Sequence, residues 1–187
     1  MQTADIFTLG VNVAQLGMDQ RKVNVLAREV GPQLGFWKPT IVSHHMLLGL
    51  GKPNASQEDK LEQTIERKMS KSNPDSAIFM TDSLDDIKRK INKAYCPEGE
   101  VENNPILEYL KYIIFESFDT VSFERLEKFG GNVDFSSYEE LENAYTDKKI
   151  HPVDLKNCVV KYLNQLLLPV QKHFEENPYA WTLLEKV

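Results

Sequence analysis

The sequence has few of the features that mark secreted, membrane-spanning or disulfide-bonded proteins. Only two of its 187 residues are cysteines, and Cys96 and Cys158 lie far apart without a CxxC spacing. Two such cysteines are most simply reduced thiols, so we expect a cytoplasmic protein. No apolar run approaches the length of about 20 residues that crosses a membrane, and the first residues lack the order of a signal peptide. We therefore expect no membrane partner.

Positive charge is also in short supply, because 28 acidic residues outnumber 22 basic ones and the net charge is −6. An acidic chain is poorly suited to nonspecific binding of nucleic acid, although it can still carry a local basic patch. The rest of the composition, 41% hydrophobic and 27% charged, is ordinary for a globular protein of one domain or two small ones.

The first part of the chain predicts an α/β unit. Residues 10–17 ("GVNVAQLG") and 39–50 ("PTIVSHHMLLGL") have the β-branched and apolar character of strands, and the apolar residues between them follow the helical period. Gly31 and Pro32 are expected to end that helix. Strand, helix, strand in this order predicts two parallel strands joined by a crossover helix.

From Ser83 onward the predicted elements are mostly helices. Ser83 with Asp86 has the spacing of a capping box, as does Ser137 with Glu140. A hairpin is expected around Gly130 and Gly131, and a long helix after His151. The helix that begins after Ser83 carries four basic residues, which form either a phosphate-contacting face or a solvated one: Lys88, Arg89, Lys90 and Lys93. The predicted fold is therefore α/β and then mostly α, with a boundary near Asp82.

The segment Lys68-Met69-Ser70-Lys71-Ser72 (KMSKS) has neither a helical stripe nor a strand alternation. It offers two cations and two hydroxyls, which suits the binding of a polyphosphate. Lys68 and Lys71 could neutralise charge on a leaving pyrophosphate, and such charge stabilisation is a large catalytic term. The alternative is a solvated basic loop. Its place after a predicted parallel strand favours the first interpretation, because ligands bind at the carboxyl ends of such strands.

A metal site is not predicted. His44 and His45 are adjacent on a predicted strand, so their side chains point to opposite faces and cannot easily share one ion. No acidic or cysteine ligands are spaced nearby.

Several segments together resemble the carboxyl-terminal part of tyrosyl-tRNA synthetases of the archaeal and eukaryotic type, which are class I aminoacyl-tRNA synthetases. The segments are "MQTADIF", "GMDQRKVNVLARE", "KMSKS", "NKAYCP", "VENNPILEY", "EKFGGN", "SYEELENAY" and "HPVDLKN". The resemblance covers the chain apart from a polar insertion at 51–67 and the last few residues. It implies the end of a Rossmann-like parallel-sheet catalytic domain over 1–82 and a helical anticodon-binding domain over 83–187.

The resemblance implies a tyrosine–tRNA ligase that uses ATP with Mg²⁺ as a substrate complex and has no tightly bound cofactor. Its partners would be tyrosine, ATP and tRNA(Tyr), and the complete enzyme would be a homodimer. The resemblance assigns ATP binding to the five KMSKS residues, with Lys68 and Lys71 catalytic. It assigns tyrosine binding to Gln2, Asp5 and Gln20, and anticodon binding to Phe129, His151 and Asp154.

Five of the six residues assigned to tyrosine and anticodon binding also have an ordinary structural interpretation. Gln2 and Asp5 suit a capped or solvated helix start, and Phe129 suits a core. His151 before a proline and Asp154 in a first turn suit a helix amino terminus. Without the resemblance, these interpretations would be preferred.

Two observations leave alternatives open. The HIGH motif, with which class I synthetases hold ATP phosphates at a helix start, is not in this sequence, so we expect a missing amino-terminal half to supply it. Asn12 and Leu16 stand where the family usually has Asp and Gly. The alternatives are a tryptophanyl-tRNA synthetase and a non-catalytic tRNA-binding module of the same fold.

Overall fold

The computed structural model describes residues 1–52, 69 and 73–184. The chain divides into two compact units, Met1–Met46 and Leu47–Val187. Most of the predicted insertion at 51–67 lies outside the described residues, and so do Lys68, Ser70, Lys71 and Ser72 of the KMSKS segment. No helix within the described ranges is both long and apolar enough to cross a membrane.

The first unit is the predicted parallel strand–helix–strand arrangement. Helix α1 (Gln2–Thr8) precedes strand β1 (Val13–Gly17), and a 3₁₀ turn (Met18–Gln20) leads into helix α2 (Arg21–Gln33). Strand β2 (Thr40–His44) then pairs in parallel with β1. The prediction of two parallel strands with a crossover helix is confirmed.

The predicted end of α2 at Gly31 and Pro32 is wrong, because the helix continues to Gln33. Gly35, with φ +81°, supplies the left-handed residue that ends it. The N–H of Gly35 donates to the carbonyl of Pro32, and the N–H of Phe36 to that of Gly31, which is a Schellman motif. Gly31 has a different role, because a Cβ there would lie 2.6 Å from Cζ of Phe7. Its lack of a side chain allows α1 to approach.

The second unit is mostly helical. Its first described elements are a 3₁₀ turn (Pro74–Ser76) and helix α3 (Leu84–Lys93). Helix α4 (Pro105–Tyr109) continues through a π-helical turn (Leu110–Ile114) into α5 (Phe115–Ser117). The hairpin strands β3 (Val121–Phe123) and β4 (Val133–Phe135) are followed by three helices: α6 (Tyr138–Thr146), α7 (Pro152–Glu176) and α8 (Pro178–Leu184).

The serine caps and the hairpin predicted in the second unit are confirmed. The hydroxyl oxygen of Ser83 accepts a hydrogen bond from the N–H of Asp86 at 3.2 Å, and that of Ser137 from Glu140 at 3.3 Å. Strands β3 and β4 pair antiparallel, and the turn between them passes through Gly130 and Gly131, both with positive φ.

One hydrophobic core fills the second unit. It extends from Leu50 to Leu167, and its largest fully buried side chains include Phe123 and Tyr145. Leu155, Val159 and Leu163 of α7 lie in it, and α7 packs closely on α3. No described residue of the first unit belongs to this core.

The basic residues of α3 do not form the free phosphate-contacting face that was one of the two expectations. Lys90 is only 3% exposed, and Arg89 and Lys93 both pair with Asp75. Lys90 was missed as a buried residue because lysine is rarely buried. Its position on the apolar stripe of Ile87 and Ile91 was the available signal.

Candidate functional site

The three predicted tyrosine-binding residues all lie in the first unit. Gln2 and Asp5 are exposed and, three residues apart on α1, share one face of that helix. Gln20 is half-buried and ends the 3₁₀ turn that follows the carboxyl end of β1. Its Nε2 donates to Oδ2 of Asp19 at 3.0 Å. Gln20 thus lies where open α/β sheets bind ligands.

An apolar pocket of about 430 Å³ lies on a different face of α1. Thr3, Ala4 and Phe7 line it, together with Leu26 and Val30 of α2. None of the three predicted tyrosine-binding residues takes part in it, so this pocket does not correspond to the predicted site.

Of the KMSKS residues the structure describes Met69 alone, which is half-buried and packs against the core of the second unit. The residues that follow the KMSKS segment are tied to α3. Asp75 accepts a hydrogen bond from Nη1 of Arg89 at 2.5 Å and lies 3.4 Å from Nζ of Lys93. The hydrogen bond from Arg89 lowers the pKa of Asp75 below its usual range, which keeps the carboxylate charged.

A second connection between this segment and α3 is buried. Nζ of Lys90 donates to Oδ2 of Asp82 at 2.6 Å and to the carbonyl of Ala77 at 3.0 Å. The ammonium also lies 4.4 Å from the ring centroid of Phe79. The chain between the KMSKS segment and α3 is therefore held at two places by helical cations.

Phe129, the predicted aromatic of the anticodon site, is 61% exposed. It ends a 3₁₀ turn (Glu127–Phe129) that Gly130 terminates with φ +97°. Nζ of Lys128 lies 4.8 Å from the centroid of its ring. The ordinary interpretation of Phe129 as a core residue is wrong, because an exposed ring held on a tight turn leaves a flat face open to solvent.

His151 and Asp154 form the capping box of α7. Nδ1 of His151 accepts a hydrogen bond from the N–H of Val153 at 3.1 Å, and Oδ2 of Asp154 accepts one from the N–H of His151 at 3.4 Å. The structural role expected from their sequence positions is therefore present. It uses one nitrogen of an exposed imidazole and one oxygen of a half-buried carboxylate, so Nε2 and the second oxygen remain for other partners.

The side chain of Arg125 connects the Phe129 turn to the chain preceding His151. Its Nε donates to the carbonyl of Gly131 and its Nη1 to that of Lys149, each at 2.9 Å. Sequence reasoning missed this residue, because a single arginine after a short strand has no distinguishing pattern.

Three lysines line an open pocket of about 370 Å³ near the start of α7: Lys52, Lys93 and Lys156. Tyr95, Cys96 and Pro97 complete its lining with Ala94. Nζ of Lys156 donates to the carbonyl of Asn92 at 2.9 Å. Burial raises the pKa of the Cys96 thiol, so this side chain is neutral at physiological pH. The pocket suits an anionic group more than a metal ion.

Metal ligands do not cluster in the described ranges, where no group of three or more His, Cys, Asp and Glu side chains could hold an ion. Nδ1 of His44 instead lies 3.0 Å from the carbonyl of the neighbouring His45.

Comparison with known proteins gives consistent matches over nearly the whole chain. The family model described as "tRNA synthetases class I (W and Y)" matches residues 1–168. A tyrosine–tRNA ligase of Thermococcus sibiricus is 45% identical over 201 residues, covering 100% of this chain and 54% of the relative. A tyrosine–tRNA ligase of Saccharolobus islandicus is 48% identical over 193 residues, covering 100% of this chain and 53% of the relative.

The fold has a similarly good match among solved structures. The crystal structure of tyrosyl-tRNA synthetase from Pyrococcus horikoshii complexed with L-tyrosine superposes with a TM-score of 0.90 at 42% identity. The superposition includes 100% of this chain and 54% of the Pyrococcus horikoshii chain. The chain thus spans about half the length of the relatives that it matches.

Proposed function

The chain belongs to the family of class I tRNA synthetases for tryptophan and tyrosine, and from this premise we propose that it is the carboxyl-terminal part of a tyrosine–tRNA ligase. The observation that carries the proposal is the match of the whole chain to named tyrosine–tRNA ligases at 45% and 48% identity. In the complete enzyme the carboxylate of tyrosine would attack the α-phosphate of ATP to give tyrosyl-adenylate and pyrophosphate. The tyrosyl group would then pass to the 3′ end of tRNA(Tyr), with release of AMP. These relatives do not favour the tryptophan alternative.

Gln2, Asp5 and Gln20 are the proposed tyrosine-binding residues. In this proposal Asp5 accepts a hydrogen bond from the phenolic hydroxyl, and the two glutamines hold the ammonium end. The exposure of Gln2 and Asp5 on one face of α1 supports this role, as does the place of Gln20 after β1. Phenylalanine would leave Asp5 unpaired, and a site that hydrogen-bonds the substrate hydroxyl rejects the analogue lacking it; a tyrosyl-tRNA synthetase is the standard example of that rule.

The KMSKS residues are the proposed ATP site, with Lys68 and Lys71 catalytic and Met69, Ser70 and Ser72 beside the phosphates. Mg²⁺ would arrive with ATP, since it usually keeps several waters and binds substrate phosphates instead of a protein cage. The attachment of Asp75 and Asp82 to α3 supports the proposal. The described residues that follow the KMSKS segment are therefore held on the second unit.

Phe129, His151 and Asp154 are the proposed anticodon-binding residues. Phe129 and His151 would stack on an unpaired base, which is how proteins usually recognise single-stranded RNA loops. Asp154 would accept a hydrogen bond from a base edge. The exposed ring of Phe129 and the exposed imidazole of His151 support this assignment. Lys52 and Lys156, which line one open pocket, supply positive charge for an RNA backbone.

The proposal includes an amino-terminal half with the HIGH motif as a partner, a homodimer for the complete enzyme and a cytoplasmic location. It also assigns residues 1–82 to the catalytic domain and 83–187 to the anticodon-binding domain. The described residues between Leu47 and Asp82 pack with the second compact unit, so this functional boundary differs from the division by packing.

The reaction is tested by the exchange of labelled pyrophosphate into ATP. The assay uses the chain together with the proposed amino-terminal half. We expect exchange that depends on tyrosine and not on tryptophan or phenylalanine. Lys71→Ala should lower its rate by roughly ten- to a thousandfold, the scale for removing one preorganised charge-stabilising donor. Lys172→Ala on α7, a pair with Glu176 on the surface, is the matched control. Tryptophan-dependent exchange would overturn the substrate, and tRNA binding without exchange would indicate the non-catalytic module.

A further inference from the structure

Arg125 connects two segments that are distant in sequence. It follows β3, and its guanidinium group donates from Nε to the carbonyl of Gly131 and from Nη1 to the carbonyl of Lys149, both at 2.9 Å. Its own N–H donates to Oδ1 of Asn132 at 2.9 Å. The guanidinium is planar and its donors have a fixed spacing, so the two carbonyls are held at a set separation.

The two carbonyls belong to the segments that carry the exposed rings. Gly131 is two residues after Phe129, and Lys149 is two residues before His151. Among the described residues, no other hydrogen bond joins residues 127–131 to residues 147–151. Arg125 is therefore the polar connection between them.

Gly130 makes room for this arrangement. A Cβ at Gly130 would lie 3.3 Å from Nη2 of Arg125, and the residue has φ +97°. A side chain at this position would meet the guanidinium and strain the backbone. The glycine and the arginine therefore fit each other, which explains why the turn after Phe129 can close over the guanidinium group.

We propose that Arg125 is a positioning residue for the anticodon site, which holds the Phe129 turn and the His151 cap so that both rings can contact one unpaired base. The inference rests on the proposed function, because it needs Phe129 and His151 to bind RNA. Arg125 itself does not contact the base. Its effect on RNA binding passes through the two carbonyls and then through the rings.

The test is a binding measurement by fluorescence anisotropy. It uses the whole chain and an RNA hairpin with the sequence of the anticodon arm of tRNA(Tyr). Phe129→Ala should weaken binding roughly five- to 150-fold, the equivalent of about 1–3 kcal/mol for one stacked base. Arg125→Met should approach the same loss. When Phe129→Ala is already present, Arg125→Met should add less than about a threefold further loss of binding, because the effects of residues that act as one unit are not additive.

Two further measurements separate positioning from other roles. If Arg125 instead contacted a phosphate directly, Arg125→Lys would keep that contact and bind like the wild type. Arg125→Met would lose the contact, and the salt dependence of binding would fall by about one phosphate. Positioning predicts that both variants bind weakly with an unchanged salt slope, because lysine lacks the fork. Lys161→Met is the matched control, since it removes an exposed cation paired with Glu124, next to Arg125, and should leave binding unchanged.

The possible results distinguish this inference from the proposed function. If the wild-type chain does not bind the hairpin, the anticodon assignment fails and the inference with it. If the wild type binds and Phe129→Ala weakens binding, the anticodon assignment stands, and three results would overturn the inference alone. These are no effect of the Arg125 variants, a loss that multiplies fully with that of Phe129→Ala, and a lower salt slope. Circular dichroism on each variant checks folding, and the lysine variant carries the test if Arg125→Met does not fold.

Discussion

Asp82 is the residue on which three parts of the second unit converge. Its Oδ2 accepts hydrogen bonds from Nζ of Lys90 at 2.6 Å and from the N–H of Phe79 at 2.9 Å. Its carbonyl accepts one from Nε2 of Gln171, near the end of α7, at 2.7 Å. Because both charges of the pair are nearly buried, neither can be removed without leaving the other unpaired in a dry site.

Lys90→Met should therefore lower the free energy of unfolding by about 3–5 kcal/mol, the usual cost of breaking a buried ion pair from one side. Urea denaturation followed by circular dichroism measures the change. Lys161→Met, which breaks an exposed pair with Glu124, should cost only about 0–1 kcal/mol. Equal effects of the two variants would show that the Lys90–Asp82 pair contributes no more than a surface pair.

At the scale of elements, the sequence predicted those helices and strands whose signals are local. The capping serines Ser83 and Ser137 and the glycine hairpin could be found because each depends on residues close together in the chain. The end of α2 was misplaced, because Gly31 has the composition of a stop but is required by the approach of Phe7 from another helix.

The candidate site shows the same limit. Phe129, His151 and Asp154 were proposed from a resemblance, but the capping box at His151 was also predictable from the local pattern. The connections through Arg125 and Lys90 depend on carbonyls and carboxylates brought close only by folding. A sequence cannot show them without knowledge of the packing.

Gly35→Ala tests the assignment of the α2 stop. The residue has φ +81° with open space around the missing Cβ, so the cost should come from the backbone alone, about 1–2 kcal/mol. The fluorescence of Trp37 in urea, in a Trp181→Phe background, reports on the first unit. Gly51→Ala, at an open position without a positive φ, should leave the midpoint unchanged. A loss at Gly51 equal to that at Gly35 would contradict the assignment.

At the scale of the molecule, two small sheets have opposite surroundings. Strands β3 and β4 place Val121 and Phe123 in the core, 0% and 1% exposed. Strands β1 and β2 leave Val13 60% and Val42 46% exposed. A two-stranded sheet alone is at best marginally stable in water. The stability of each sheet must therefore come from what covers it, and within the described residues only the second sheet belongs to the large core.

Hydrogen exchange on the whole chain should consequently show two levels of protection. Hydrogen-bonded amides of β1 and β2 should exchange faster than those of β3 and β4 by roughly a hundredfold or more, because opening free energies within one protein range from about zero to the global value. Each sheet has two strands, and the strands of the first sheet are the longer ones, five residues against three, so faster exchange there cannot come from a shorter ladder. Mass spectrometry of the peptides 11–20 and 38–46 against 119–137 measures the difference. Addition of the proposed amino-terminal half should slow exchange in β1 and β2 and leave exchange in β3 and β4 unchanged.

Equal protection of the two sheets in the chain by itself would contradict this prediction. It would mean that the exposed apolar residues of the first sheet are already covered in solution, and dilution would then reveal whether a second copy covers them.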